Sequence, residues 1–154
     1  MALPDIKEHT IIEAIKTRLA AIVAGGSTYY TTFDKVVDNM PGNASFDKDF
    51  TKIINIRETN DTLLEELESA GTLHDIGLDI DIDVIAKGAA VADIRKMKAD
   101  ILKSINTDLT WSGTAFTTQY RGSQRNKTDQ FGNKIADLTI SITVQYRKNA
   151  WSTG

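Results

Sequence analysis

No cysteine occurs among the 154 residues, so the chain has neither a disulfide framework nor a thiolate to act as nucleophile or metal ligand. Histidine is nearly as scarce. His9 and His74 are the only two, they lie far apart, and neither belongs to the His-x-x-x-His spacing that puts two ligands on one helical face. A zinc site would need both histidines plus carboxylates, and no metal is expected. The chain also lacks a Gly-x-Ser-x-Gly elbow, a Gly-x-x-x-x-Gly-Lys phosphate loop and a Gly-x-Gly-x-x-Gly turn, which leaves no candidate catalytic residue and no cofactor site. No uninterrupted apolar run approaches the roughly 20 residues needed to cross a bilayer, and Met1 to Asp5 lacks a positively charged leader. A membrane partner and secretion are therefore not expected, and the acceptor-like triplets at Asn43, Asn60 and Asn126 read as chance. The net charge of −3 argues against general nucleic-acid binding, which draws its affinity from Lys and Arg on phosphates.

What is present is strong patterning in a chain of one-domain size, long enough to bury roughly 70% of its unfolded surface. Leu138, Ile140, Ile142, Val144 and Tyr146 alternate with Thr139, Ser141, Thr143, Gln145 and Arg147, the two-residue period of a strand with one buried face. Leu78, Ile80, Ile82 and Val84 alternate in the same way with Asp79, Asp81 and Asp83. Two helices are predicted. The first follows a capping arrangement of Asp5 and Glu8, carries Ile11, Ile12, Ile15, Leu19, Ile22 and Val23 as an apolar stripe, and stops at Gly25 and Gly26. The second runs from Gly88 to about Asn106 with Val91, Ile94, Met97, Ile101 and Ile105 on one side.

The remaining segments complete the pattern. Thr28 to Val37 is rich in β-branched and aromatic residues and reads as a strand, and Asn39 to Asp49, with Pro41, Gly42 and Asn43, as a loop. Lys52 to Arg57 reads as a short strand. Asn60 to Ser69, with Leu63, Leu64 and Leu67 and a stop at Gly71, reads as a brief helix. A strand from about Ala115 to Arg125 joins the closing strand through Lys127 to Asn133, where Asp129 and Gly132 suit a turn. The expectation is a single α+β domain over residues 1–154: two long helices on one face of a largely antiparallel sheet, in the order helix, three strands, helix, two strands.

Asp79, Asp81 and Asp83 share one strand face. Hard cations favour clustered carboxylates, but a calcium loop curls around its ion with glycine at the sixth position, where this chain has Val84. The favoured reading is an acidic ladder facing solvent or a partner, compensated by a cation or by a basic strip on a neighbouring strand or subunit. Arg121, Arg125 and Lys127 form the one compact basic segment, on the later hairpin, with Tyr120 beside it; a solvated or protein-facing tip is weighed against a phosphate contact. Trp111 reads as a core lid and Trp151, near the terminus, as an interface anchor. These charged residues and Trp151 are the candidate subunit or partner interface.

The run Asp108, Leu109, Thr110, Trp111, Ser112, Gly113, Thr114, Ala115, set between the second helix and a hairpin ending in Val144, Gln145, Tyr146 and Arg147, resembles the tail terminator (tail completion) proteins of long-tailed bacteriophages. Those subunits carry an aspartate, a threonine and a glycine before an alanine after the second helix, and Ser112 stands where a second glycine is common. The opening helix and the Met40-Pro41 step extend the resemblance over nearly all of residues 5–149. It implies a virion protein at the head-proximal end of the tail, assembled in the host cytoplasm. It implies a homo-hexameric ring that caps the tail tube protein, stops tube growth and offers a docking face to a head-side connector or stopper, with DNA passing through unbound. Another head-to-tail joining or minor tail protein of similar fold, and a small nucleic-acid-binding α+β module, are the alternatives.

Overall fold

The computed structural model describes residues 6–38, 52–67, 73–87, 91–130 and 133–149. Its elements are α1 (Lys7–Ala20), β1 (Lys35–Asp38), β2 (Lys52–Leu67), β3 (Leu73–Lys87), α2 (Val91–Asn106), β4 (Thr117–Gln130) and β5 (Asn133–Asn149). The strands form one sheet in the order β1-β2-β3-β5-β4. Only β1 with β2 is parallel; the other pairings are antiparallel.

The alternation in β3 and β5 produces two chemically different sheet faces. Ile76, Leu78, Ile80, Ile82, Val84 and Ala86 stand directly opposite Tyr146, Val144, Ile142, Ile140, Leu138 and Ala136, and directly opposed residues project to the same side. That side is covered by Ile11, Ile12, Ile15 and Leu19 of α1 and by Ile94, Met97, Ile101 and Ile105 of α2, which share one buried cluster with it. The helices meet through polar groups as well. Arg18 of α1 donates to the carbonyl oxygens of Ile105 and Asp108 at 3.3 and 2.5 Å. On α2 the buried carboxylate of Asp100 accepts the backbone N–H groups of Tyr30 and Thr31, pinning the segment after α1.

Several expectations change. Ile6 is the N-cap of α1 and no side chain caps it; Asp5 lies outside the described residues. Glu8 instead accepts the Tyr146 hydroxyl at 2.6 Å and lies 3.5 Å from Lys148 Nζ. Burial and this bond to a carboxylate push the Tyr146 phenol upward from its ordinary value. Val23, expected on the apolar stripe, is 57% exposed, because α1 ends at Ala20 and the chain leaves the helical path before it. Of the strand expected over Thr28 to Val37, only Lys35 onward pairs, the earlier part being held by Asp100 instead.

The largest correction is at Asn60 to Leu67, which is strand rather than helix. Leucine spacing suited a helical turn, yet β3 offers an antiparallel partner as far as Leu67 opposite Leu73, and ladder hydrogen bonds along it replace those that a short exposed helix would leave unmade at its ends. Register shifts between Glu58 and Asn60 and between Leu63 and Glu65 interrupt the ladder. The later hairpin is also longer than expected: Lys127 to Gln130 belong to β4, and Gln130 faces Asn133. The expected loop at Asn39 to Asp49, the start of the second helix at Gly88 and the side chain of Val91 lie outside the described residues.

Candidate functional site

Two arrangements stand out, a polar ladder on the sheet face opposite the helices and a strained turn that links α2 to β4. The ladder is built by register. Asp79, Asp81 and Asp83 of β3 lie opposite Thr143, Ser141 and Thr139 of β5, and each hydroxyl donates to the carboxylate facing it, at 2.7, 2.7 and 2.8 Å. Hydrogen bonding to the charged form is one way to hold three like charges in a row. The other is a counter-charge, which β2 supplies from the opposite flank. The Arg57 guanidinium binds Asp83 through Nε, lies 3.3 Å from Asp83 Oδ1 with Nη2, and reaches Asp81 at 3.5 Å. On the β4 side, Arg121 Nε donates to Thr143 Oγ1 at 3.0 Å, so a guanidinium, a hydroxyl and the Asp79 carboxylate form a chain. The basic compensation expected for the acidic ladder thus comes from neighbouring strands of the same subunit.

Beside Asp79 and Asp81 lies an open concavity of about 460 Å³, lined also by Thr62, Leu64 and Arg121. Gly77 forms part of its floor, where a Cβ would lie 3.3 Å from the Thr143 methyl and 3.5 Å from Leu64. Among the described residues, no group of three His, Cys, Asp or Glu side chains is arranged to hold a metal ion. That fits carboxylates already committed to hydroxyl and guanidinium donors.

The basic segment of the later hairpin does not form one strip. Arg121 is the extra residue at a register shift between Tyr120 and Gly122, and its side chain joins the polar face. Past the bulge, Arg125 stands opposite Leu138, which places it on the helix-covered side of the sheet, exposed at the margin. Lys127 pairs through its backbone with Ala136, its side chain lying outside the described residues, as does Trp151. Arg57 and Arg18, the cations that hold the two arrangements together, were not among the expected site residues. Arg57 was hidden by the helix expected just after it; once β2 and β3 are paired, its register opposite Asp81 points to it.

The second arrangement occupies the Asp108 to Ala115 run. Trp111, Ser112 and Gly113 are three successive residues in the left-handed region, with φ of 52°, 60° and 84°. For the two that are not glycine, this conformation costs roughly 1–2 kcal/mol each. Asp108 offsets the cost by closing the turn from below. Its Oδ1 accepts the N–H and hydroxyl of Thr110 at 2.9 and 2.6 Å, and its Oδ2 accepts the N–H of Ser112 at 2.8 Å. The turn thereby drives Trp111 inward, where it is only 1% exposed. There the Arg18 guanidinium covers the indole ring 3.9 Å from its centroid. The indole N–H donates to Thr118 Oγ1 at 2.7 Å, and Thr118 Oγ1 donates to the Leu109 carbonyl at 2.8 Å. Trp111 is therefore the core lid expected, joining α1, α2 and β4.

The described residues contain no helix long and apolar enough to cross a membrane. No family model and no curated protein matches the chain. Among solved structures, it is similar to a chain of the virion of a native gene transfer agent particle, at 13% identity and a TM-score of 0.50, over 90% of this chain and 96% of that one. It is also similar to the sheath/tube terminator, in the extended state, of an extracellular contractile injection system, at 13% identity and a TM-score of 0.49. That match covers 99% of this chain, which spans 61% of the terminator's length.

The turn generates two predictions. The three donors from Thr110 and Ser112 hold the Asp108 carboxyl at about 2, below its ordinary 3.8. A depressed carboxylate contributes stability that is complete above the ordinary value and is lost as pH falls through the folded one. The Trp111 indole N–H resonance is therefore expected to hold its position from pH 7 to about 4 and to move only on approach to pH 2, whereas Asp108→Asn displaces it already at neutral pH. An indole resonance indifferent to both would contradict the role given to Asp108. Ser112→Gly removes left-handed strain but adds freedom to the unfolded chain, with strain the larger of the two. Urea unfolding is expected to show a gain of about 0.5–1 kcal/mol; a loss would mean that the serine is not strained. At 13% identity the likeness to the virion chain shows the fold alone.

Proposed function

We propose that this chain is a structural protein of a phage-type tail, a terminator that forms a closed ring on the finished tube, halts its growth and presents a second face to the head-side connector or stopper. The observation that carries the reading is the fold likeness to a virion chain over nine-tenths of this sequence, joined to the Asp108 to Ala115 resemblance. The physical features agree with it. Both helices cover one sheet face and the other carries the polar ladder, so one body has two chemically different sides. A tube lengthens because each ring offers the face that the next ring binds; a subunit matching one side of that contact and not the other ends the process.

The role needs no catalytic group, and the ladder carboxylates are engaged in holding the sheet. Asp79, Asp81, Asp83, Arg121, Arg125, Lys127 and Trp151 remain the proposed interface set, with the tail tube protein and the connector as partners. The ring is of six subunits, sits at the head-proximal end of the virion tail and lets DNA pass without specific contact. The nucleic-acid module is the weaker reading, since Arg121 and Arg125 leave β4 on opposite faces and break the compact basic strip it requires.

Native mass spectrometry of the purified protein, alone and mixed with purified tail tubes, tests the proposal at tens of micromolar. A hexamer in solution or on the tube end is expected, with tubes capped by the protein failing to elongate when more tube subunit is added. A chain that stays monomeric and binds no tube would overturn it, and finding the subunit elsewhere in the virion would favour the joining or minor tail alternative.

A further inference from the structure

The outer side of α2 carries positive charge that its own subunit does not balance. Lys16, Arg18, Arg57, Arg147 and Lys148 each lie against a carboxylate of this chain. The cations of α2 do not: among the described residues, Arg95, Lys96, Lys98 and Lys103 form no ion pair. The acids of the helix leave them unmatched. Asp93 lies in the first turn, ahead of them, and Asp100 is only 1% exposed, with its oxygens accepting the N–H groups of Tyr30 and Thr31. In a chain of net charge −3 this is a local reversal of sign.

The lysines are arranged around aromatic rings and a hollow. Lys96, Lys98 and Lys103 each place their ammonium 5.9 Å from a tyrosine ring centroid, those of Tyr30, Tyr120 and Tyr29 respectively, within reach of a cation–π attraction. Tyr30 is 68% exposed. Ala92, Lys96, Ala99 and Lys103 recur every three to four residues and are all exposed, so they form one outward stripe in which short and basic side chains alternate. Where Ala99 leaves room, a concavity of about 350 Å³ opens between α2 and the segment after α1, lined by Ser27, Thr28, Tyr30, Ala99 and Lys103. Lys103 is steadied there by donating to the Thr28 carbonyl at 3.0 Å. The hydroxyls of Ser27 and Thr28 have no hydrogen-bond partner among the described residues, and the one carboxylate in the lining, Asp100, is already satisfied. The hollow therefore offers donors and positive charge, the complement of a carboxylate.

We propose that the outer side of α2 is a docking surface for an acidic protein segment, one carboxylate entering the concavity beside Ala99 and Lys103 while Lys96 and Arg95 meet its neighbours along the stripe. Charge complementarity selects the partner. Tyrosine and arginine are the side chains that protein interfaces favour, and Tyr30 offers a rigid face on which the stem of a glutamate can lie. Nucleic acid fits less well. Binding to a duplex draws on roughly 6–10 phosphate contacts, more than this short stripe supplies, and the rest of an acidic chain opposes a long polyanion. The inference goes beyond the ring reading and does not depend on it, since it concerns the helical layer alone.

The probe is an oligoglutamate peptide titrated into the isotopically labelled full chain, with backbone amide resonances as the readout. Shifts are expected at Ser27 to Tyr30 and from Arg95 to Lys103, fading as salt rises. Lys103→Gln and Ala99→Leu are each expected to weaken binding about tenfold. The second keeps every charge and a good helix former in place, so it reads the concavity alone. Should Lys103→Gln displace the segment after α1 in the variant's own spectrum, Lys96→Gln takes its place with the same weakening expected. Absence of shifts on α2, or undiminished binding by Ala99→Leu, overturns the proposal. So does inorganic phosphate binding as tightly as the peptide, which would mark a simple anion site, and so does duplex DNA binding more tightly, which would make the surface one for nucleic acid.

Discussion

The pairing of β3 with β5 is the constraint from which the rest follows. It runs from Leu73 opposite Asn149 to Lys87 opposite Ile135 with no register shift. Because side chains alternate strictly, a slip of one residue would exchange the apolar and polar rows of both strands. In the register adopted, isoleucine, leucine and valine meet beneath the helices, and every ladder aspartate meets a hydroxyl. The two faces hold each other in place: burying Ile80 and Ile142 places Asp79 against Thr143, and a bond between the latter pair opposes any slide of the former.

The Asp108 turn performs the matching task at the helical layer. A chain leaving α2 must reverse to enter β4, and it does so through three left-handed residues that would be unfavourable in isolation. Hydrogen bonds from Thr110 and Ser112 to one carboxylate, together with a buried indole under Arg18, make the reversal stable. The residues that carry the family resemblance thus have a structural reason here. Aspartate and threonine close the turn, glycine accepts the left-handed backbone, and alanine fits where the chain re-enters the core.

Much of this was legible in the amino acids. Strict alternation identified β3 and β5, and the stripe from Ile11 to Leu19 and that from Ile94 to Ile105 identified the helix faces, because periodicity reports burial directly. The second half of β2 misled, since Leu63, Leu64 and Leu67 after Asn60 mimic a capped turn while the decisive factor, a distant partner strand, leaves no local mark. Arg57 was missed for the same reason. Arg121 and Arg125 looked like one patch because a single bulged residue, invisible in composition, changes which face each side chain takes. The left-handed Trp111 and Ser112 were equally hidden, since only Gly113 advertises such a backbone.

The picture that results is of a body whose interior is held by its own register and its own turn. The ladder, the turn and the core all satisfy themselves within one subunit. A reconstruction of the intact particle at side-chain resolution tests this most directly. The account predicts a closed ring of this chain at the tail end, with the Asp79 to Asp83 ladder unchanged within each subunit. A tail end without this chain, or a ladder rebuilt around a partner's charges, would contradict it.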